Sequence, residues 1–293
     1  MAVNHQGVIM RNKIYALTNI IVILIASIWF LVYFKDTKKL FFDDNNLILL
    51  ILIITALMVY VIKFLRLYFA MYGTNITFEQ FAEIYVRVTP ISLILPFKVG
   101  ELFRIYCYGK QINNCLQGGI IILLDRFMDT AALITMITIT LIFNKNSPTY
   151  LVYFLFCIMF LLSTLYFVFP GMYCFWRKFI LRSDASKNKL RVLKTLVYCN
   201  TVYDEIVKVV KGRGIILFFL SLFAWIIEIG SLAVTTNMVS INTSIKISEY
   251  ITSAMTGHMT LEMRRFIFIS VVMLLNIYLL LWIVKLLHIK RRN

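Results

Sequence analysis

Three charged side chains lie within little more than one turn of an otherwise apolar helix: Asp125, Arg126 and Asp129. A charged group at the centre of a bilayer costs roughly 2.5 to 3.5 kcal/mol on insertion scales. Such groups must therefore form ion pairs, contact water or bind a ligand. Asp125 and Asp129 share a helix face, and Arg126 is placed to pair with Asp129 within the helix. Carboxylates beside a guanidinium within a membrane-spanning helix can bind a charged ligand inside the bilayer.

Further ionisable residues lie in two other segments. Glu228 occupies a comparable depth in a later apolar run, and Glu101 and Arg104 follow a segment interrupted by prolines. We predict that all of these groups face one polar cavity; the alternative is that they are ion pairs that hold the helices together. Arginine suits a phosphate ligand because its planar fork donates two parallel hydrogen bonds. The predicted site comprises Glu101, Arg104, Asp125, Arg126, Asp129 and Glu228.

Composition sets the class of protein that must position these groups. The chain has 293 residues, of which 61% are hydrophobic and 15% are charged, with a mean hydropathy of +0.84. These values exclude a soluble domain and predict an all-α polytopic integral membrane helical bundle, forming a single domain over residues 1–293. About six runs approach the ~20 residues that cross a bilayer. They are residues 14–34, 47–65, 117–143, 149–170, 214–239 and 265–287.

The first run is interpreted as a retained helix, because residues 14–34 are long for a signal-peptide core and lack a small-residue cleavage site. Cysteine and histidine give no sign of a metal or a disulfide framework. The 5 cysteines show no C-x-x-C spacing, and the 3 histidines are dispersed. No metal site, cofactor or catalytic residue is predicted.

A helix is predicted to begin at Thr77, because Thr77 and Gln80 have the spacing of a capping box. It is predicted to end near Thr89, since Pro90 disfavours helical geometry in the residue before it. The next stretch is apolar but much too short to span, and it is followed by Pro96 and Gly100.

We predict that the segment near residues 88–104 is re-entrant, dipping into the bilayer and returning, with Pro90, Pro96 and Gly100 shaping it. Non-helical backbone at that depth is tolerated only where protein or water satisfies its polar groups. The alternative is a loop that lies flat on the membrane. A second insertion, near residues 190–211, has apolar residues on one face with lysines between them. This pattern predicts an amphipathic interfacial helix ending at Gly212, and a partner-docking helix is the alternative.

The net charge of +16 is distributed unevenly along the chain. Counting basic residues between the predicted spans places both termini in the cytoplasm of a multi-pass protein in the cytoplasmic (inner) membrane. Arg66 and Lys98 are predicted to contact the cytoplasmic leaflet, and so is the basic loop over residues 177–194. No nucleic-acid partner is predicted, because a membrane-facing loop accounts for the charge.

One motif pair in this order resembles a known family. The pattern is Pro96-x-x-x-Gly100-Glu101-x-x-Arg104, then Asp125-Arg126-x-x-Asp129. It is similar to the lysylphosphatidylglycerol synthase transmembrane-region family, which includes bacterial lipid flippase domains. Arg66, Trp225 and Glu228 also stand where similar residues occur. The chain departs from that family over residues 248–264, where a second proline-rich element would be expected. No aminoacyl-transferase domain follows either, so lipid aminoacylation is not expected from this chain by itself.

The resemblance implies a lipid flippase or a lipid-headgroup-binding transporter that moves a phosphate-bearing lipid through a polar intramembrane cavity. The lipid would be an anionic phospholipid or a polyprenyl-phosphate-linked sugar. A homo-oligomer, or a synthase or glycosyltransferase partner, is a further expectation.

The alternative function is a membrane component or enzyme of glycolipid and surface-polysaccharide assembly in the cell envelope, with one carboxylate as general base. Asp125 and Asp129 also have the spacing that holds Mg²⁺ in intramembrane prenyltransferases. A second such cluster is missing, and Arg126 would oppose the cation. A scaffold without transport is the third class.

Overall fold

The structure, a computed structural model, describes residues 46–95, 99–144, 150–182, 187–238, 250 and 260–292, and positions 21, 22, 24–26, 28, 30 and 32. These residues form helices and short connections, with no β-strand among them. The predicted all-α class is confirmed.

Eight helices have defined bounds within these ranges. They are α1 Asn46–Met71, α2 Phe78–Ile94, α3 Val99–Ile112, α4 Cys115–Asn144, α5 Tyr150–Arg182, α6 Lys187–Val210, α7 Gly214–Met238 and α8 Leu261–Arg292. The described positions between 21 and 32 are helical as well.

The chain is a polytopic helical membrane protein. Among the described residues, 4 helical stretches are long and apolar enough to cross a membrane. They are Asn46–Met71, Tyr153–Arg182, Gly214–Thr235 and Met263–Val284. Helix α4 covers the predicted span at 117–143, but its three charged residues set it apart from those four. Most of the predicted span at 14–34 lies outside the described residues.

The chain divides into two compact units that alternate along the sequence. Unit 1 takes its residues from Met1–Leu57, Thr77–Cys107 and Leu261–Asn293, and unit 2 from Met58–Ile76 and Tyr108–Thr260. In unit 1, α2 packs against α8, and the Phe30 and Phe268 rings stack at 5.6 Å between centroids. The prediction of one domain over residues 1–293 stays a prediction.

Helix α2 begins as predicted but ends later. The Thr77 hydroxyl accepts from the Gln80 amide and the Gln80 side chain accepts from the Thr77 amide, so the capping box is present. The predicted end near Thr89 is wrong, because the helix continues through Pro90 to Ile94. Proline removes one backbone donor, and membrane helices tolerate this where neighbouring groups satisfy the freed carbonyl.

Helices α2 and α3 approach closely just beyond that point. Helix α3 begins at Val99, and a Cβ built on Gly100 would lie 2.4 Å from the Ser92 carbonyl oxygen. The two helices can therefore meet here only because Gly100 has no side chain. Pro96 and Lys98 lie outside the described residues. The choice between a re-entrant segment and an interfacial loop stays a prediction.

In unit 2, α4 packs against α7, α6 and α5, and α5 also packs against α6. The predicted helix near residues 190–211 is present as α6, and Gly212 beyond its end has a φ of +78°. That left-handed conformation favours glycine and ends the helix where expected. On the α5 side, the Tyr203 ring stacks on Phe169 with centroids 4.9 Å apart.

Candidate functional site

The centre of the site is Arg66, whose side chain on α1 is 1% exposed. Its Nε donates to Asp125 Oδ1 at 2.7 Å, and its Nη1 donates to Asp129 Oδ1 at 2.6 Å. Nη1 also donates to Ser221 Oγ at 2.7 Å. Two carboxylates of α4 and one hydroxyl of α7 thus converge on one guanidinium of α1.

Helix geometry explains why both carboxylates reach the same arginine. Asp125 and Asp129 are one turn apart on α4 and point to one side of it. Arg126 adds a second cation, with Nη2 donating to Asp125 Oδ2 at 2.8 Å. The predicted pair between Arg126 and Asp129 is present as an ion pair at 3.9 Å, longer than a hydrogen bond. Asp125 therefore holds one arginine on each oxygen.

A second contact links α1 and α7. Lys63 lies one turn before Arg66, and its Nζ is 3.5 Å from Glu228 Oε2. The hydroxyl of Tyr250 donates to the other oxygen, Glu228 Oε1, at 2.6 Å. Since Arg66 contacts Ser221 and Lys63 contacts Glu228, α1 and α7 run antiparallel along this strip.

We call these residues of unit 2 the Arg66 cluster: Lys63, Arg66, Asp125, Arg126, Asp129, Ser221, Glu228 and Tyr250. Its three cationic and three acidic side chains balance in formal charge, but they differ in depth. Arg126 is 36% exposed and Lys63 is 22% exposed, whereas Asp125 is 1% exposed and Glu228 is 8% exposed. Asp129 is intermediate at 17%. The accessible edge of the cluster is therefore mainly cationic, and most of the negative charge lies beneath it.

Four of the six predicted site residues belong to this cluster: Asp125, Arg126, Asp129 and Glu228. The other two, Glu101 and Arg104, lie in unit 1, where Arg104 Nη1 donates to Glu101 Oε2 at 3.3 Å. A single cavity shared by all six residues stays a prediction.

We predicted that Arg66 contacts the cytoplasmic leaflet, which stays a prediction; the structure buries its side chain among Asp125, Asp129 and Ser221. The reason is the length of α1: the predicted span ended at residue 65, but the helix continues to Met71. Lys63 lies one turn before Arg66 on the same helix. The helical spacing of these two cations was a signal in the sequence that the prediction did not use. Ser221 and Tyr250 gave no signal, because their roles depend on which helices pack together.

The described residues contain no group of three or more His, Cys, Asp or Glu side chains that could hold a metal ion. Each carboxylate of the Arg66 cluster is instead held by an arginine or a lysine. The chemistry that this arrangement supports is recognition of charge.

Comparison with known proteins adds one match. A family model described as the lysylphosphatidylglycerol synthase TM region matches residues 18–261, which is most of the chain and includes the whole Arg66 cluster. No curated protein and no solved structure matches the chain significantly.

Proposed function

The chain belongs to the family of the lysylphosphatidylglycerol synthase TM region, and from this premise we propose that it is a lipid flippase or lipid-headgroup-binding transporter. Its cargo is a phosphate-bearing lipid, either a phospholipid or a polyprenyl-linked lipid. The headgroup passes along the Arg66 cluster while the tails stay in the bilayer. No covalent step is needed, so no residue is given a catalytic role.

The observation that carries this proposal is the order of charges in the cluster. A phosphate that enters a bilayer needs compensation, because an uncompensated charge there costs several kcal/mol. The most exposed members of the cluster are Arg126 and Lys63, which are both cations. An anionic headgroup that approaches this edge meets guanidinium and ammonium donors before it meets a carboxylate.

Of the cations in the cluster, Arg126 can best give up its hydrogen bond to Asp125 in exchange for one to a ligand. Its hydrogen-bond acceptor, Asp125, also accepts from Arg66 at 2.7 Å. When Arg126 turns toward a phosphate, Asp125 therefore keeps one arginine and is not left as an unpaired buried charge. Exchange of one charge-assisted bond for another keeps the free-energy change small, which a reversible carrier requires.

We also place the protein in the cytoplasmic membrane with both termini inside, on the distribution of basic residues. A synthase or glycosyltransferase that makes the lipid would be its functional partner. These assignments extend the proposal and do not support it.

The test is lipid translocation by the purified full chain in phospholipid vesicles. Fluorescent phosphatidylglycerol and a labelled polyprenyl phosphate serve as separate probes, and dithionite quenching reports the lipid left in the outer leaflet. The parent chain should move at least one probe faster than protein-free vesicles do. Arg126→Gln should slow that movement about tenfold, as expected for the loss of a hydrogen bond to a charged group.

Arg191→Gln is the matched control, since it makes the same change on an exposed face of α6 and should leave the rate unchanged. A parent chain that moves neither probe, or an Arg126→Gln rate equal to the parent's, contradicts the proposal. Mass spectrometry of the recovered lipid after incubation with sugar donors separates the enzymatic alternative. That alternative predicts a chemically altered lipid.

A further inference from the structure

Two buried donor atoms of unit 2 have no acceptor among the described residues. One is Nη2 of Arg66, the terminal nitrogen that the carboxylates leave unused, and the other is Nε1 of the Trp225 indole. The Trp225 residue is 8% exposed and Arg66 is 1% exposed. A buried donor without an acceptor raises the free energy of the folded protein, so a water or a ligand that accepts a hydrogen bond from these atoms lowers it.

The fold brings both donors to the contact between α1 and α7. Ser221, Trp225 and Glu228 are spaced four and three residues apart and so lie on one face of α7. Both ends of that stretch touch α1, through Arg66 at Ser221 and through Lys63 at Glu228. Trp225 therefore lies on the part of α7 that is bracketed by the two contacts with α1. It is about 6 Å along the helix axis from the serine that binds Arg66.

The chemistry of a ligand that could satisfy both donors follows from the donors themselves. An indole N–H and a guanidinium N–H can only donate, so the group that satisfies them must accept. Ammonium groups are excluded at this position. A phosphate oxygen is the strongest candidate, because a charged acceptor makes shorter and stronger bonds than a neutral one.

We propose that Trp225 Nε1 and Arg66 Nη2 form a subsite in which both donate hydrogen bonds to a phosphate oxygen, and that Trp225 is a ligand-binding residue. This inference rests on the proposed function and adds to it. The lipid is recognised at this point by its phosphate and not by an amine or by its tails.

The experiment uses the full chain in maltoside micelles, which carry no phosphate, with ¹⁵N-labelled tryptophan indoles. The probes are dioctanoyl phosphatidylglycerol, inorganic phosphate and dioctanoylglycerol, the last of which has the same tails and no phosphate. The Trp225 N–H resonance should move downfield with phosphatidylglycerol and stay in place with dioctanoylglycerol. The resonance is assigned by its absence from the spectrum of Trp225→Phe, and the shift itself is read in the parent chain.

Binding measurements on variants supply the second readout. Trp225→Phe removes the N–H and keeps an aromatic ring, and it should weaken phosphatidylglycerol binding about tenfold. Trp176→Phe is the matched control, because Trp176 on α5 is 45% exposed and lies outside the cluster. Its affinity should equal the parent's, and its spectrum identifies one of the three other indoles of the chain, which has 4 tryptophans.

The probes separate the two sources of phosphate. A shift with both phosphate-bearing probes supports recognition of phosphate itself, and a shift with phosphatidylglycerol alone supports recognition of phosphate on a lipid. The inference is overturned if no probe moves the resonance, if dioctanoylglycerol moves it equally, or if Trp225→Phe binds as tightly as the parent. Translocation in vesicles that depends on Arg126 would still stand in that case, so the two proposals can fail separately.

Discussion

Arg66 resolves an electrostatic conflict that α4 creates. Asp125 and Asp129 lie one turn apart on the same helix face, where like charges repel. One guanidinium bonds both carboxylates at 2.7 Å and 2.6 Å and so replaces that repulsion by attraction. Lysine could not do this equally well, because an ammonium lacks the planar fork that reaches two acceptors in fixed directions.

Removing this guanidinium should strongly destabilise the protein. Arg66→Gln leaves Asp129 without its main partner, and breaking a buried ion pair in this way costs about 3 to 5 kcal/mol. Thermal unfolding in micelles, followed by circular dichroism, should show a much lower midpoint than that of Arg191→Gln, the exposed control.

A compensating change tests the reason for that loss. Adding Asp129→Asn to Arg66→Gln removes the uncompensated charge and should recover part of the stability. A double variant as unstable as Arg66→Gln alone would contradict the electrostatic explanation and indicate lost packing instead.

At the scale of elements, two glycines set how closely helices approach. A Cβ on Gly100 would lie 2.4 Å from the Ser92 oxygen within unit 1, and a Cβ on Gly118 would lie 2.6 Å from Gly109 Cα within unit 2. Small residues at such crossings allow close backbone packing in membranes, where no hydrophobic force drives helices together.

Alanine at either crossing should force the helices apart. We expect Gly100→Ala and Gly118→Ala each to lower stability by about 1 to 3 kcal/mol, as overpacking does. Gly171 and Gly230 have no neighbouring atom within 4 Å of the added Cβ, so alanine there should be neutral or stabilising by up to about 1 kcal/mol. Unfolding midpoints of the four variants decide this, and equal losses at all four positions would refute it.

Local signals made much of the architecture predictable. The capping box at Thr77 and the glycine at position 212 were identified correctly, because each acts through neighbouring residues. Pro90 misled the prediction, since the helix around it continues despite the lost donor. The carboxylate pair of α4 was found from its spacing. Arg66 was singled out as a leaflet contact, but its position between the carboxylates was not predicted, because its contact with Asp125 joins residues 59 positions apart and depends on tertiary packing.

For the molecule as a whole, the net charge of +16 cannot come from the Arg66 cluster, which is neutral in sum. Much of the excess lies instead on the end of α5 and on α6, where Lys178, Arg182, Lys189, Arg191 and Lys194 are exposed. Each cation near an anionic leaflet contributes about 1 kcal/mol of attraction. This distribution predicts that α6 lies on the cytoplasmic side.

The natural cysteines allow that prediction to be tested directly. Cys199 on α6 is exposed and Cys107 is buried. A variant in which Cys115, Cys157 and Cys174 are replaced by serine retains both. A membrane-impermeant maleimide should label Cys199 in inside-out vesicles and leave it unlabelled in intact spheroplasts, while Cys107 stays unlabelled in both until the protein is denatured. Labelling of Cys199 from the outside would contradict this prediction, because it would place α6 and its exposed cations on the side of the membrane opposite to the cytoplasm.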